Sequence, residues 1–366
     1  MWNRIVALIV KELQQLFATK TSIRMLLMPL LLQLAVFPFA TTLEVKEASI
    51  AILNEDSGAE AVELIQRYHA ASAFSDVLYV TDAASLRDAL DGQRALLAIR
   101  VPPDFSKKVL AGTPVAIQAL IDGRRSNAAQ IAFSYIRQVT NDYVGERIGF
   151  SAPASLVVRN VYNPNLDYKW FVLPSLVAII ATVSCLLVTA MSLAREREEG
   201  TYDQLLVTPL TPAYIMLGKA VPGILVSMTQ SSIIASAAVF VYGVPFTGAV
   251  WLLLTATFAY SLALSGVGLL ISSFSTSQQQ AFMGMFSYMV PSVILSGYLA
   301  PVENMPAFLR FLSAVNPLTH FISMAKGIFL KSYGFSAVAP DLLALLAISS
   351  VTLLTAGMAF RWQTRT

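Results

Sequence analysis

Few side chains in this chain have the chemistry of a catalytic or metal site. Its 366 residues include only two histidines, His69 and His320, and one cysteine, Cys185, which lies within an apolar run. We therefore expect neither a histidine–cysteine metal site nor an intrachain disulfide. The sequence has no Gly-x-x-x-x-Gly-Lys-Ser/Thr, so ATP hydrolysis by a phosphate-cradling loop of that type is excluded. We expect no catalytic residue, metal or cofactor in this chain.

The densest group of charges in the C-terminal half directly follows a long apolar run. Residues 194–209 read Ala-Arg-Glu-Arg-Glu-Glu-Gly-Thr-Tyr-Asp-Gln-Leu-Leu-Val-Thr-Pro. A solvated loop at a membrane surface is one interpretation. The other is a docking segment for a partner with basic groups, because charges buried in an interface require partners.

Composition and apolar runs indicate an integral membrane protein. Hydrophobic residues make up 56% of the chain and charged residues 13%, and the mean hydropathy is +0.63; soluble proteins average about 25% charged residues. A helix needs roughly 20 apolar residues to cross a bilayer. The runs of suitable length are 23–43, 171–194, 215–242, 249–272, 281–300 and 342–360. Six spans would place both termini on one side of the membrane.

The N-terminal 22 residues have apolar side chains at helical spacing and a polar opposite face. We interpret residues 1–22 as an amphipathic helix in the cytoplasmic membrane surface; a soluble helix packed on a core is the alternative. Residues 23–43 are then the first span. A cleaved signal peptide is the other reading of that span, but the preceding segment is too long and too amphipathic for one.

Residues 44–169 have a different composition, with more than half of the charged residues of the chain. Short apolar runs predict strands, and helical patterns lie between them. The predicted strands are 48–53, 77–80, 95–101, 115–121 and 156–161. Four helices are predicted: one ends near His69, one ends at Gly92, and the other two cover 103–110 and 126–149. The predicted fold is a membrane bundle of six transmembrane helices, which continues over 170–366, with an inserted α/β (α+β) domain between the first two.

Lysine and arginine in short loops predict the orientation, because such residues favour the cytoplasmic side. Nine of them would be cytoplasmic with the N-terminus inside: Arg4, Lys11, Lys20, Arg24, Arg195, Arg197, Lys219, Arg361 and Arg365. Residues 301–339 on the opposite side have Arg310, Lys326 and Lys331. We expect a multi-pass protein of the cytoplasmic (inner) membrane, with residues 44–169 in the periplasm or outside the cell. The net charge of +3 does not suggest nucleic-acid binding.

Two motifs resemble those of ABC-2 type transport permeases. The family pattern R-E-x-E, G-T-x-[ED]-x-L, T-P is matched by Glu196, Glu198, Gly200, Thr201, Asp203, Leu205, Thr208 and Pro209. Residues 301–306 and 316–321 are similar to the family's P-x-x-x-M-P and N-P-L-T-[YH] elements. His320 stands where tyrosine is common, so we assign it no catalytic or metal-binding role. The large 44–169 segment is similar to the drug-efflux subgroup.

The resemblance implies the permease subunit of an ATP-binding cassette exporter for an amphipathic or hydrophobic substrate. ATP and Mg²⁺ would bind to separate ATPase subunits, and a second permease, identical or related, would complete the assembly, with a periplasmic adaptor as a further possible partner. The 195–214 loop would dock on the ATPase through Arg195, Glu196, Arg197, Glu198, Glu199, Gly200, Thr201, Asp203, Leu205, Thr208 and Pro209. Residues 301–339, with Asn316, Pro317 and His320, would form short outer helices that partly re-enter the membrane.

The resemblance also suggests roles for individual side chains. Glu196, Glu198, Glu199 and Asp203 would pair with basic groups of the ATPase. Arg195 and Arg197 would contact the ATPase too, and the alternative for these two is to anchor at lipid headgroups. Substrate would pass along spans two and five, where the polar candidates are Ser184, Thr189, Tyr288, Ser292 and Ser296, and Pro291 would kink the fifth span. The alternative for these polar groups is ordinary hydrogen bonding between helices.

Two other functions compete with export, and a third could accompany it. A membrane sensor would need a cytoplasmic output domain, and a mechanical transmitter would be expected to have four spans. An outer domain that recruits an adaptor is compatible with export. The scarcity of charge within the spans argues against a proton relay, and so against a proton-driven pump.

Overall fold

A computed structural model describes residues 2–18, 20–40, 48–71, 74–121, 126–148, 167–208 and 210–363. The chain divides into two compact units, one formed by residues 1–41 with 161–366 and the other by residues 42–160. We call them the helical unit and the sheet unit. The predicted strand 156–161 and Pro209 lie outside the described residues.

In chain order the elements are α1 (Trp2–Ala18), α2 (Lys20–Ala40), β1 (Ala48–Asn54), α3 (Ala59–Ala70), β2 (Phe74–Val80), α4 (Ala83–Asp91), β3 (Leu97–Val101), α5 (Phe105–Leu110), β4 (Gln118–Ile121), α6 (Ser126–Ile148), α7 (Tyr168–Glu198), α8 (Tyr202–Leu206), α9 (Pro212–Phe240), α10 (Val250–Phe274), α11 (Gln278–Leu295), a 3₁₀ turn (Val302–Asn304), α12 (Ala307–Val315), α13 (Pro317–Leu330) and α14 (Phe335–Gln363). The chain is thus mostly helical, with one small sheet in its N-terminal part.

Four helices of the described chain are long and apolar enough to cross a membrane by length and composition: α7, α9, α10 and α14. The number rises to five if the sharply bent pair of α1 and Ser22–Phe37 counts as one span. The predicted fifth span corresponds to α11, which has 18 residues and begins with three glutamines, and it does not reach this threshold. The count of six spans therefore stays a prediction.

Helix α7 forms the centre of the helical unit and is buried over most of its 31 residues. It begins where the Asp167 carboxylate accepts a hydrogen bond from Lys169 N at 2.9 Å. Helices α9, α10, α11 and α13 all pack against it. Glycines permit the closest approach: a Cβ at Gly268 of α10 would lie 1.9 Å from Thr189 Oγ1, and one at Gly223 of α9 would lie 2.5 Å from Thr189 Cγ2.

Helix α1 is amphipathic, as predicted, and its buried residues Ile5, Leu8, Glu12 and Leu16 recur at helical spacing. Leu8 packs against Gly218 of α9, where a Cβ would lie 2.5 Å from Leu8 Cδ2. Other large apolar residues of α1 remain exposed, among them Trp2, Val10 and Phe17. One face of α1 therefore packs on the bundle, and the exposed apolar side chains suit a lipid surface.

In the part of the sheet unit that the structure describes, four strands lie in the order β2-β1-β3-β4. Strand β1 is parallel to β2 and β3, and β4 is antiparallel to β3. Alternate residues of β1 point to opposite faces, so Ile50 and Ile52 pack in a core with α3, α5 and α6, whereas Ala51 and Leu53 pack with α4. This explains why the central strand is apolar throughout.

Within the described residues, the elements predicted in this segment are present, with shifted ends. The strand predicted at 77–80 begins at Phe74, and the one predicted at 115–121 is limited to Gln118–Ile121. Asp82 caps α4, because its carboxylate accepts a hydrogen bond from Ser85 N at 2.8 Å.

Candidate functional site

The turn after α7 is fixed by the backbone. Gly200 has φ of +72°, and its N–H donates to Arg197 O at 3.2 Å, while Thr201 N donates to Glu196 O at 2.8 Å. These two bonds form a Schellman ending, which requires a left-handed residue after the helix and therefore favours glycine. The Gly-Thr of the sequence motif thus sets the direction in which the chain leaves α7 for α8.

Arg197 joins the end of α7 to the ends of two other helices. Its Nη1 donates to Ser273 O at 2.6 Å and Ser275 O at 2.7 Å, and its Nη2 donates to Gln363 Oε1 at 2.6 Å. The first two acceptors are at the end of α10, where carbonyl groups lack partners within the helix. The guanidinium also lies over the Tyr202 ring, 4.8 Å from its centroid. Arg197 is thus engaged within its own chain, and its predicted contact with lipid headgroups stays a prediction.

Arg195 has a weaker contact, with Nε donating to Gln278 Oε1 at 3.4 Å. It lines a cavity of about 340 Å³ between α1, α2, α7 and α11, together with Leu26, Met191 and Glu199. Its predicted contact with lipid stays a prediction.

A buried group of charges lies beneath the 195–214 loop. Glu196 Oε1 is 2.7 Å from Lys11 Nζ and 3.5 Å from Lys219 Nζ, and its other oxygen accepts from the Thr201 hydroxyl. Lys219 Nζ is also 2.6 Å from Glu12 Oε1, and Ser192 Oγ donates to Glu12 Oε2 at 3.1 Å. We call Lys11, Glu12, Ser192, Glu196, Thr201 and Lys219 the charge cluster. It joins α1, α7 and α9 with two acids and two cations.

Burial makes this pairing obligatory. The side chain of Lys219 is 0% exposed and that of Glu196 is 3% exposed. Two such ions can stay buried only because each faces an opposite charge and hydrogen-bonding groups. The partners of Glu196 in the structure belong to its own chain, and its predicted pairing with basic groups of the ATPase stays a prediction.

Sequence reasoning missed Glu12 and the pairing of Lys219. Glu12 was assigned to the polar face of α1, yet it lies on the same side as Leu8 and Leu16. Lys219 was used only to predict orientation. A lysine within a helix as apolar as α9 was the available signal, because such a residue normally requires a partner.

Other acids of the loop remain exposed. Glu199 and Asp203 are exposed, and Glu198 is exposed although its Oε2 accepts from Gln278 N at 2.9 Å, at the start of α11. Leu205 is buried among Leu8, Leu193, Ile215 and Phe360 and so anchors α8. Thr208 closes α8 by donating from its hydroxyl to Leu205 O at 2.6 Å. The loop is thus held firmly and presents acidic side chains to solvent.

The polar candidates on α7 are used in packing. The Ser184 and Thr189 hydroxyls donate to carbonyls one turn earlier, to Ile180 O and to Cys185 O respectively, the latter at 2.7 Å. Thr189 is enclosed by Gly223 and Gly268. These contacts favour the alternative in which both residues serve packing within the bundle.

Of the polar candidates on or just after α11, Ser292 contacts the start of α13 through its backbone. Ser296 Oγ donates to Val293 O at 2.7 Å, and Ser292 O accepts from Asn316 Nδ2 at 2.8 Å. Tyr288 is half-buried, and Pro291 is an exposed residue within the helix. Helices α7 and α11 pack on each other.

Asn316 and Pro317, of the predicted short outer helices, form the start of α13. Asn316 Oδ1 accepts from Leu318 N at 3.2 Å, and Pro317 occupies the first turn of α13, as its missing N–H permits. His320 Nδ1 is 2.8 Å from Asp341 Oδ1, and Nε2 is 2.9 Å from Ala314 O. The hydrogen bond with Asp341 raises the pKa of His320 above its ordinary value. His320 therefore joins α12, α13 and α14.

Comparison with known proteins decides the family. Residues 20–358 match the model of the ABC-2 family transporter proteins. This chain belongs to the ABC-2 transporter family. It is 46% identical over 364 residues to the "Probable multidrug ABC transporter permease YbhR" of Escherichia coli K12, an alignment that covers 99% of each chain. It is 29% identical to the "Inner membrane transport permease YhhJ" of the same organism, over 96% of this chain and 95% of the relative. Like these relatives, this ABC-2 family member is a membrane protein with several apolar helices.

Proposed function

We propose that this ABC-2 family member is the permease subunit of an exporter driven by a separate ATPase, which binds the ATP and Mg²⁺. The observation that carries the proposal is the 195–214 loop, which is anchored to the bundle and yet exposes Glu198, Glu199 and Asp203. Exposed acids on a fixed scaffold suit a groove with basic groups, since complementary charges set the specificity of such contacts.

The contacts of the loop would transmit movement into the membrane. Arg197 connects α7 to α10 and α14, and the charge cluster connects α7 to α9 and α1. A displacement of α8 by the ATPase would therefore be shared among helices rather than absorbed by a flexible linker. Re-packing between two discrete arrangements is how such displacements alter a membrane bundle.

The proposed topology has six spans, with α2 and α11 added to the four apolar helices. Both termini and the 195–214 loop would be cytoplasmic, and the sheet unit would be the inserted domain on the outer side of the inner membrane. The excess of Lys and Arg around α1, the loop and the end of α14 supports this orientation.

A second permease would cover an apolar face of α11. Phe282, Phe286, Val290 and Ile294 are spaced four residues apart and are each between 38% and 51% exposed. This spacing places them on one side of the helix, where a partner helix can pack. The second permease would be identical or closely related, and a periplasmic adaptor remains a possible further partner.

The proposed cargo is amphipathic or hydrophobic and moves along α7 and α11. The relative YbhR is named as a probable multidrug transporter permease, which supports this class of substrate. The Met, Leu and Val side chains of the cavity lined by Arg195 and Glu199 would accept such a molecule from the inner leaflet.

The test uses the permease co-expressed with its ATPase and reconstituted in liposomes. Replacing Glu198 by Gln and Asp203 by Asn should lower co-purification of the ATPase and cargo export at least about tenfold, by loss of charge-assisted contacts. The control is Glu303→Gln, which removes an exposed acid from the 3₁₀ turn. Normal co-purification and export in the double variant would refute docking through these acids.

A further inference from the structure

A lysine ammonium lies within an aromatic cluster beside the start of α7. Lys326 Nζ of α13 is 3.6 Å from the centroid of the Phe171 ring. The rings of Tyr168 and Tyr298 stack on Phe171, with centroid distances of 5.8 and 6.4 Å. We call Tyr168, Phe171, Tyr298 and Lys326 the Phe171 cluster. It joins α7 and α13 to the segment that follows α11.

Lys326 has no counter-ion within the described ranges. No carboxylate lies within ion-pair distance of its ammonium there, in contrast to Lys11 and Lys219, which each face a glutamate. Burial lowers the pKa of Lys326 to about 8, because no neighbouring negative charge offsets the loss of water. The ring face of Phe171 compensates only part of that loss.

The cluster offers hydrogen-bond donors in excess of acceptors. The hydroxyl groups of Tyr168 and Tyr298 have no hydrogen-bond partner in the described part of the chain. A phenol hydroxyl and an ammonium both donate to an anion, and a protonated lysine has three N–H groups and no acceptor. Positive charge, free hydroxyls and aromatic faces are thus gathered around one ring.

We propose that the Phe171 cluster binds the anionic head group of an amphipathic molecule. A carboxylate, sulfonate or phosphate would pair with Lys326 and accept from the tyrosine hydroxyls, while its apolar tail lies on the aromatic rings. The identification of this molecule as cargo rests on the proposed function, since the cluster adjoins α7 and the end of α11. A cationic amphiphile with the same tail would be disfavoured by Lys326.

The test is equilibrium binding to the purified permease in phosphatidylcholine nanodiscs, without ATPase. The probes are radiolabelled decanoate and decyltrimethylammonium, which have equal tails and opposite charges, and empty nanodiscs serve as the blank. Wild type should bind decanoate saturably, and Lys326→Gln should weaken this binding about tenfold, by loss of a charge-assisted contact. Lys326→Arg should retain it, because the charge is kept.

A matched control is Lys331→Gln, which removes an exposed lysine from the end of the same helix and should leave decanoate binding unchanged. Tyr298→Phe provides a second variant should Lys326→Gln fold poorly, with an expected loss of about threefold for one hydroxyl donor. Unchanged binding of decanoate in Lys326→Gln, or an equal loss for the cationic probe, would overturn the proposal.

Two competitors identify the source of the head group. Displacement of decanoate by sulfate supports a site for free anions, and displacement when phosphatidylglycerol replaces part of the phosphatidylcholine supports a lipid head group. Failure of both competitors to displace a decanoate signal would also count against the site. Because binding is measured without ATPase or transport, a negative result would not bear on the docking of the 195–214 loop. Likewise, a failure of the loop variants to lower export would not bear on binding at the Phe171 cluster.

Discussion

The role of a single residue is best seen at Lys219. Its ammonium is fully buried and faces both Glu12 and Glu196. Removing one partner of a buried ion pair leaves an uncompensated charge, which costs far more than the pair contributes to folding. The charge cluster is therefore a unit, and its members cannot be altered independently.

We expect Lys219→Met to lower the free energy of unfolding by about 3–5 kcal/mol, because Glu12 loses its nearest cation. Thermal unfolding of the detergent-purified protein measures this loss. Lys331→Met, at an exposed position, is the control and should change little. Combining Lys219→Met with Glu12→Gln should recover part of the stability, and no recovery would argue against coupling between the two.

The pair of His320 and Asp341 should make the stability of the protein depend on pH. Asp341 raises the pKa of His320 above 6.5, so the imidazolium is stabilised in the folded state. This contribution is complete below the unfolded pKa of about 6.5 and is lost as the pH rises through the raised folded value. The melting temperature of wild type should therefore fall as the pH rises through this range, and Asp341→Asn should not show this fall. Superimposable pH profiles for the two proteins would contradict the ion pair.

At the scale of elements, the four long apolar helices, strands β1 to β4 and the N-terminal amphipathic helix were predictable because they depend on local periodicity. The strands β1 to β4 and the cap at Asp82 follow from alternation and from capping chemistry near in sequence. The charge cluster was not predictable, because Glu12 and Lys219 are 207 residues apart and only packing of α1 on α9 brings them together. Similarly, Arg197 finds carbonyls at the end of α10 that no local pattern reveals.

The crossing of α7 and α10 gives a prediction for two elements. Gly268→Ala should destabilise the protein, because its Cβ would lie 1.9 Å from Thr189 Oγ1. An overpacked core typically costs about 1–3 kcal/mol. Adding Thr189→Ala should restore part of this loss in a double-mutant cycle of melting temperatures. Gly357→Ala is the control, since a Cβ there meets nothing within 4 Å. An additive double variant would show that the two sites do not touch.

The turn that ends α7 gives a further prediction at the scale of elements. Gly200→Ala should cost about 1 kcal/mol, because an alanine at φ of +72° is strained. Gly200→Asn should cost less, since asparagine tolerates that conformation. If the turn aims the loop at the ATPase, export should fall more in the alanine variant than in the asparagine variant. The reverse order of export rates would argue against that role.

At the scale of the whole molecule, the helical unit holds α1 to the bundle by both apolar packing and ion pairs. A Cβ at Gly218 would lie 3.4 Å from Leu8 Cβ, close to the separation found in disulfides. Leu8→Cys with Gly218→Cys, in a Cys185→Ala background, should therefore form a cross-link on oxidation.

If α1 and α9 move together during transport, the cross-linked protein should export cargo at nearly the same ATP-driven rate as the protein without the disulfide. The same protein kept reduced is the matched control, and gel mobility after cleavage between the two sites reports the bond. Loss of export that returns on reduction would show that α1 slides on α9, contrary to the rigid connection proposed for the 195–214 loop.

The separation of the clustered charges along the chain also bears on biogenesis. Lys11 and Glu12 are synthesised about two hundred residues before Glu196 and Lys219. During synthesis the N-terminal helix must therefore wait at the membrane surface with its charges hydrated. It can dock in its final position only when α7 and α9 have been inserted, so the burial of Glu12, Glu196 and Lys219 must follow the insertion of α9.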